Sequence, residues 1–359
     1  MSDSALDFSE PYRMPSAEKQ AWLIAELNAL TRFHCSACSE YAGVVTKLFG
    51  GREEAAKPEA LPFLAVGLFK FMDLKSVPQD QVVRVLTSSG TSGQTPSRIL
   101  LDKATAAHQT MALAAITSYA IGKQRLPMVI VDNREVVQSR TSFSARAAGV
   151  VGFSLFGRNH FYLLNEKMEV NWDGLDAFID VHKGSPILLF GFTFVVWQFF
   201  YKAAEAAGRK VAWGGPATLI HGGGWKKLED QQVSNKAYKA ALAQRLGIDS
   251  VLNYYGMVEQ VGSVFMECSE GRLHTPRFAD VLIRDPLTLE PLPQSESGLI
   301  QMLSTLPRSY PGHSLLTEDL GTVTGEDDCP CGRLGKTLRV DGRLPKAEMR
   351  GCSDVRTYR

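Results

Sequence analysis

Cysteine is scarce and clustered: six in 359 residues, at Cys35, Cys38, Cys268, Cys329, Cys331 and Cys352. That pattern excludes a disulfide framework and favours metal or thiol chemistry in a reducing compartment. An excess of charge of either sign is missing too. Lysine and arginine number 39 against 38 acidic residues, a formal net charge of +1, which argues against nucleic acid as the main partner. Long apolar runs are absent. The longest, Ile187 to Tyr201, is too short to span a bilayer and contains Gly191 and Gln198. The N-terminal MSDSALDFSEPYR carries acids and no apolar stretch, unlike a signal peptide. These absences predict a cytoplasmic protein with no membrane span. Internal repeats, low-complexity tracts and long charge blocks are also lacking.

At 45% hydrophobic and 21% charged, the chain lies in the ordinary globular range, and its length predicts about two to three packed units. The stretch around which the rest is organised is Thr87 to Asp102, TSSGTSGQTPSRILLD, directly after the strand-like Val82 to Leu86. Its glycines allow tight turns and close approach to a ligand. Its hydroxyls and exposed backbone N–H groups form a cradle for anionic oxygens, phosphate above all. It is not a Walker A loop, since no Gly-Lys-Ser/Thr closes it, nor a GxGxxG dinucleotide fingerprint. A polar hairpin turn is the alternative.

Residues 16–34 carry apolar side chains at helical spacing behind Ser16, a plausible N-cap. Cys35 and Cys38 follow as a CxxC whose missing partner pair favours incidental helix cysteines. Leu61 to Phe71 reads as a buried approach segment. Beyond the loop, helices are predicted over 103–120, 172–181, 193–207 and 226–246, and strands over 128–131, 187–190, 210–213, 217–220 and 251–254. Such alternation predicts βαβ units and mainly parallel sheets, an α/β fold. Ligands of these sheets sit beyond the carboxyl ends of the strands, where Ser88, Gly222 and Tyr255 are expected. Past Gly262, prolines, turn residues and short alternating runs (FADVLIRD, GLIQMLS) read as a smaller antiparallel β unit. The expected divisions are 1–262 for the α/β part, 263–338 for the β unit and 339–359 for a short basic tail.

Five stretches fall in one order: SSGTSGQTPSRI (88–99), His221-Gly222-Gly223-Gly224, Tyr254-Tyr255-Gly256-Met257-Val258-Glu259, Thr317-Glu318-Asp319-Leu320-Gly321 and Gly342-Arg343. In turn they resemble the Ser/Thr/Gly-rich phosphate loop, the glycine-rich adenine-pocket segment, the YG-x-T-E motif, the T-G-D-L-G motif and the hinge Gly-Arg of adenylate-forming enzymes. Those are the acyl-CoA synthetases, peptide-synthetase adenylation domains and luciferases. GGGWK at 222–226, CPCGR at Cys329 and the short length are similar to the acyl-protein synthetase branch. This is the LuxE type, which activates fatty acids for a bioluminescence reductase and is related to phenylacetate–CoA ligases. The resemblance covers nearly the whole chain. It implies the α/β large domain of those enzymes, with two βαβ-type subdomains and a small antiparallel β unit. The mobile C-terminal domain with its catalytic lysine is expected to be essentially absent, because the chain ends soon after the hinge-like residues. Two departures stand out. Pro96-Ser97-Arg98 replaces the usual Pro-Lys-Gly, leaving Arg98 as a candidate for the lysine's part, and Val258 replaces the motif's Thr.

The resemblance implies that ATP joins a carboxylic acid, most simply a fatty acid, to AMP and expels pyrophosphate. Charge gathers in that transition state, so hydrogen-bond donors and Mg²⁺ are needed. Ser88, Ser89, Thr91, Ser92 and the backbone of Gly90 and Gly93 would hold the β- and γ-phosphates. Gly222, Gly223, Gly224, Gly256 and Tyr255 would border adenine. Asp319 would accept from the ribose hydroxyls, and Arg343 would donate to ribose or phosphate, the alternative for Arg343 being a surface charge. Glu259 is the candidate Mg²⁺ ligand, since a hard cation prefers carboxylate oxygen; a solvated strand-end acid is its alternative. Cys268, His274, Cys329 and Cys331, spaced C-x5-H and then C-x-C, suit a closed tetrahedral Zn²⁺ site, with unligated buried thiols as the alternative. Cys352 follows Arg350 in the basic tail, where neighbouring arginines would favour thiolate. The resemblance assigns Cys352 the acyl group as a thioester, passed on to a partner such as an acyl reductase; an incidental tail cysteine is the alternative. Direct transfer to CoA or a carrier protein, and an inactive nucleotide-binding homologue, are the competing functions. The acyl pocket is expected among Phe190 to Phe194, Trp213 and Val261 to Phe265, which could equally be core.

Overall fold

The computed structural model describes residues 6–88, 96–137, 145–225 and 232–344. Helices α1 (Ser16–Ala37) and α2 (Ser39–Phe49) precede a two-residue strand β1 (Leu64–Ala65). Strands β2 (Val82–Thr87) and β3 (Arg98–Asp102) pair antiparallel as a separate two-stranded sheet. The Ser/Gly stretch therefore joins the arms of a hairpin, and Ser88 does not stand at the carboxyl end of a parallel strand as the alternation predicted. Next come α3 (Lys103–Ile121), β4 (Leu126–Ile130), α4 (Ala145–Ser154), β5 (Gly157–Tyr162), α5 (Trp172–Val181) and β6 (Ile187–Phe192). Helix α6 (193–206) contains a π-helical turn over Val196–Tyr201. It is followed by β7 (Ala217–Gly222), α7 (Asn235–Leu246) and β8 (Ser250–Tyr255).

Five of these strands run parallel, in the order β8-β7-β6-β4-β5. Alternate residues of a strand point to opposite faces, and both faces here are apolar. Met128, Ile130, Leu188 and Phe190 pack with Ile116 of α3 and Phe153 of α4. Val129, Ile187 and Leu189 pack with Leu175 of α5, Phe200 of α6 and Leu242 of α7. That double cover is what a parallel sheet requires. Residues 210–213, expected as a strand, form no regular element. Trp213 instead turns inward and donates its indole N–H to the carbonyl of Leu246 at 2.7 Å.

The remaining strands are β9 (Phe265–Glu267), β10 (Leu273–His274), β11 (Ala279–Arg284), β12 (Ser297–Ser304), β13 (Ser314–Glu326) and β14 (Lys336–Arg343). They pair antiparallel in the order β11-β12-β13-β14-β10-β9, and β9 joins β8 through Tyr254↔Met266 and Tyr255↔Phe265. With β1 beside β13, twelve strands make one sheet. Among the described residues, no helix is long and apolar enough to cross a membrane.

Helix α1 is fastened to the antiparallel strands by polar groups. Ser16 is its first helical residue rather than its N-cap, and its N–H and hydroxyl donate to Asp327 at 2.8 and 3.0 Å. At the other end His34 stacks on His313, ring centroids 5.1 Å apart, and both are fully buried. His34 Nε2–H donates to the carbonyl of Pro307 at 3.2 Å, so Nδ1 accepts from Ser76 Oγ at 2.7 Å. Burial lowers His34 to about 3 and His313 well below its ordinary value. Both rings are neutral when folded but protonate below about pH 6.5 when unfolded. Their contribution to stability is therefore complete above the unfolded pKa and is lost as pH falls below it. The expected decline is about 1.4 kcal/mol per pH unit for each ring. Urea unfolding between about pH 7 and pH 5 checks this: His313→Gln should be less stable at neutral pH yet decline less steeply. An unchanged slope would contradict the account.

Candidate active site

The loop end of the β2–β3 hairpin is closed by two serines. Ser88 N–H donates to the carbonyl of Ser97 at 3.2 Å, and Ser88 Oγ accepts from Ser97 N–H at 2.9 Å. Ser89, Gly90, Thr91, Ser92 and Gly93 lie outside the described residues. The Ser97 side chain, almost wholly buried, is near enough to the carboxyl of Glu259 to favour its ionised form. Glu259 sits on a short 3₁₀ turn after β8 and is only 6% exposed, which departs from a solvated strand-end acid. Burial raises its pKa, while Ser97 and the charges of Lys70 and Arg343 pull it down. Tyr310 O–H donates to the Glu259 carbonyl at 2.7 Å and its ring meets Phe69. Lys70, next along the chain from Phe69, was hidden from sequence reading inside an apolar approach segment; among the described residues it has no ion-pair partner within 4.0 Å. Arg98 is 57% exposed and stands 3.9 Å from Asp73. Val258 is buried beside Leu86, Ile99 and Tyr310.

Cross-strand register brings the two C-terminal motifs together, with Asp319 of β13 directly opposite Arg343 of β14. Their side chains lie 3.6 Å apart, and Arg343 also reaches Glu318 at 3.5 Å while 62% exposed. Tyr255 O–H donates to Asp319 Oδ2 at 2.8 Å. Burial raises Asp319, against the hydrogen bond from Tyr255 and the charge of Arg343. The charge of Arg343 thus favours ionisation of both raised carboxyls, though its ion pairs are with Asp319 and Glu318.

Gly222, Gly223 and Gly224 leave the end of β7 beside Phe192 and Tyr254, their register neighbours on β6 and β8. A Cβ on Gly222 would stand 2.6 Å from the Tyr254 ring. Only glycine fits there. Phe192 is half-buried and packs against the clusters on both faces of the sheet. Of the expected acyl-pocket residues, Phe190, Val264 and Phe265 belong to one core cluster and Trp213 to the other. They do not line one chamber.

Cys268, His274, Cys329 and Cys331 converge, their ligand atoms all within 4.8 Å of one another. Two tight turns present them: Cys268 N–H donates to the Arg272 carbonyl at 2.9 Å, and Gly332 N–H to the Cys329 carbonyl at 3.0 Å. Gly332 has φ +80°, a conformation suited to glycine. Cys331 Sγ lies 3.4 Å from His274 Nε2, and Cys268 Sγ 3.8 Å from Cys329 Sγ. Burial acts to raise Cys268, but hydrogen bonds from His274 and the backbone of Arg272 and Glu270 bring it down to about 6. The donor set fits a tetrahedral thiolate–imidazole site. Cys35 and Cys38 stand apart from it at the end of α1, and burial pushes Cys35 up to about 11. Cys352 lies outside the described residues.

A family model described as "Acyl-protein synthetase, LuxE" matches residues 2–358. The chain belongs to that family. Among curated proteins, this LuxE-family chain is similar to the long-chain-fatty-acid–luciferin-component ligase of Vibrio harveyi, 30% identical over 138 residues, which are 38% of this chain and 35% of that protein. The ligase of the same name from Aliivibrio fischeri is 27% identical over 137 residues, 38% of this chain and 36% of that protein. The matched stretch thus spans about a third of each relative. Among solved structures, a 2-hydroxyisobutyryl-CoA ligase in complex with its acyl-AMP and CoA aligns with TM-score 0.71 at 17% identity, covering 93% of this chain and 77% of that one. A long-chain-fatty-acid–CoA ligase from Archaeoglobus fulgidus aligns with TM-score 0.50 at 14% identity, covering 75% and 52%. These likenesses establish the fold of adenylate-forming ligases.

The Gly222–Tyr254 contact makes one measurement decisive for this strand-end geometry. Gly222→Ala should lose about 1–3 kcal/mol of stability through overpacking, and the same substitution should cost clearly less in a Tyr254→Ala background. Equal losses in chemical denaturation of the two backgrounds would place the ring elsewhere.

Proposed function

We propose that this LuxE-family chain is an ATP-dependent acyl-protein synthetase. A carboxylate oxygen, from a fatty acid in the first instance, attacks the α-phosphorus of ATP. The bond to the bridging oxygen breaks, and pyrophosphate leaves. The Cys352 thiolate then attacks the acyl carbonyl, AMP departs, and the thioester is passed to a partner protein. The observation that carries this reading is the nearness of Ser97, at the loop end of the β2–β3 hairpin, to Glu259, and the meeting of Tyr255 with Asp319 and Arg343.

In this reading Ser88, Ser89, Gly90, Thr91, Ser92 and Gly93 hold the β- and γ-phosphates, and Gly222, Gly223, Gly224 and Gly256 flank the base with Tyr255. Asp319 Oδ1, which faces Arg343 at 3.6 Å, accepts from ribose as Arg343 turns to the ligand, because Oδ2 is engaged by Tyr255. Arg343, exposed, exchanges its carboxylate partners for ribose or phosphate oxygens. Glu259 is a fitting Mg²⁺ ligand: a carboxyl whose ionisation is opposed by burial is stabilised by an adjacent cation. Bound Mg²⁺ would neutralise phosphate charge as it develops. Lys70 adds positive charge on the same side.

Intact mass after incubation with Mg-ATP and a panel of fatty and aromatic acids tests the reading. A hydroxylamine-sensitive gain of one acyl group is expected, abolished by Cys352→Ser. Glu259→Gln should slow ATP–pyrophosphate exchange by about 10²-fold or more. AMP release without any mass gain would favour direct transfer to CoA or a carrier protein. ATP binding without exchange for any acid would favour an inactive homologue.

We also propose that Cys268, His274, Cys329 and Cys331 hold a structural Zn²⁺ that ties β9 and β10 to the 329–333 turn. Purified protein should contain about one zinc per chain by plasma mass spectrometry. Cys331→Ser should lose that metal and unfold at lower temperature; metal-free wild type of unchanged stability would refute the site.

A further inference from the structure

Thr193, the first residue of α6, and His221, at the end of β7, are 6% and 3% exposed and meet beneath the glycine segment. Thr193 Oγ1 lies 2.9 Å from His221 Nδ1 and 3.1 Å from the carbonyl oxygen of Gly222. A carbonyl can only accept, so the single hydroxyl proton of Thr193 points to Gly222. The hydroxyl oxygen must then accept from His221, which fixes the proton of that ring on Nδ1. Nε2 is left as a bare lone pair, and it has no hydrogen-bond partner among the described residues. The imidazole is held from below by Tyr238, ring centroids 4.7 Å apart, and Tyr238 O–H reaches the Thr193 carbonyl at 3.4 Å. The result is a neutral chain of donors, Nδ1–H to Oγ1–H to the Gly222 carbonyl.

We propose that Thr193 and His221 are positioning residues for the nucleotide: they fix the peptide plane at Gly222 and so aim the backbone of Gly223 and Gly224 at the base. This rests on the reading that 222–224 borders adenine. The chain of donors acts from behind the segment. Gly222 cannot itself carry an orienting side chain, because the Tyr254 ring occupies that space. Its carbonyl is therefore the handle by which the fold can set this turn.

The test is ATP binding by calorimetry, with KM for ATP and for the acid measured separately in ATP–pyrophosphate exchange. Thr193→Val keeps shape and removes the hydroxyl. It should weaken ATP about tenfold, the size of one buried hydrogen bond, and leave the KM for the acid unchanged. Thr193→Ser should restore ATP affinity. His221→Asn, which can present an N–H near the Nδ1 position, should fall much less than His221→Leu. Thermal unfolding of each variant separates a local effect from a failure to fold, and the Ser and Asn variants carry the test if the others do not fold. ATP affinity unchanged in Thr193→Val, or acid and ATP lost equally, overturns the positioning role while leaving the adenylating reading intact. Wild type that binds no ATP overturns both.

Discussion

The lateral register of β6, β7 and β8 is the constraint on which the rest of this structure depends. It sets Phe192, Gly222 and Tyr254 in one row at the carboxyl ends of three parallel strands. A slip of one residue would carry every side chain of a strand to the other face. That would break both core clusters, because Leu188 and Phe190 pack on one side and Ile187 and Leu189 on the other. The hydrophobic pattern therefore fixes the row, and the row decides where polar groups meet. Tyr254 closes over Gly222, while Tyr255, pointing the other way along the same strand, is free to reach Asp319.

A second dependence runs through the antiparallel half. Asp319 and Arg343 are separated by many residues along the chain but are directly opposite in the β13–β14 ladder. Cross-strand neighbours of opposite charge contribute only fractions of a kcal/mol at an exposed edge. Arg343 is 62% exposed, so its pairing is weak and exchangeable. Weakness suits the proposed role, in which Arg343 gives up carboxylates for a ligand. The pairs around Asp280 behave differently: buried Lys19 and largely buried Lys336 flank it, and Lys19 holds α1 against the sheet. The charge that ties α1 to the sheet is buried and fixed, whereas Arg343 is left at the rim.

Much of this was legible in the sequence, and the misses have physical reasons. Periodicity located α5, β6, β7 and β8 because parallel strands covered on both faces are continuous apolar runs. The five motifs marked, by residue type alone, the stretches that the fold places after β2, at the end of β7, after β8 and on β13 and β14, though not the pairing of β13 with β14. The Cys and His spacing likewise anticipated a cluster that the fold assembles from two turns. Residues 210–213 misled because Val211 and Trp213 are apolar for reasons of core packing around Leu246, without any strand. Ser88 misled because a strand followed by a Gly-rich loop looks the same whether the next partner is parallel or a hairpin arm. Ser16 resembled a cap, yet Asp327, brought in by tertiary structure, does the capping. The Ser97–Glu259, Tyr255–Asp319 and Thr193–His221 contacts join residues far apart in the chain, and no local pattern encodes them.

The two carboxyls at the heart of the candidate site share one electrostatic condition. Glu259 and Asp319 are each raised by burial, and the groups that oppose the shift are few: Ser97, Lys70 and Arg343 for one, Tyr255 and Arg343 for the other. Arg343 serves both, so neither charge is fully compensated without a ligand. Burying an incompletely paired carboxylate costs stability, and the fold keeps one on the turn after β8 and one within β13. A cation at Glu259 and hydroxyl donors at Asp319 would supply what the protein withholds. Binding would then also promote ionisation, since each carboxyl is a better ligand charged than neutral. Under the proposed function, a polyanion that brings its own metal and its own hydroxyls would complement these two carboxyls.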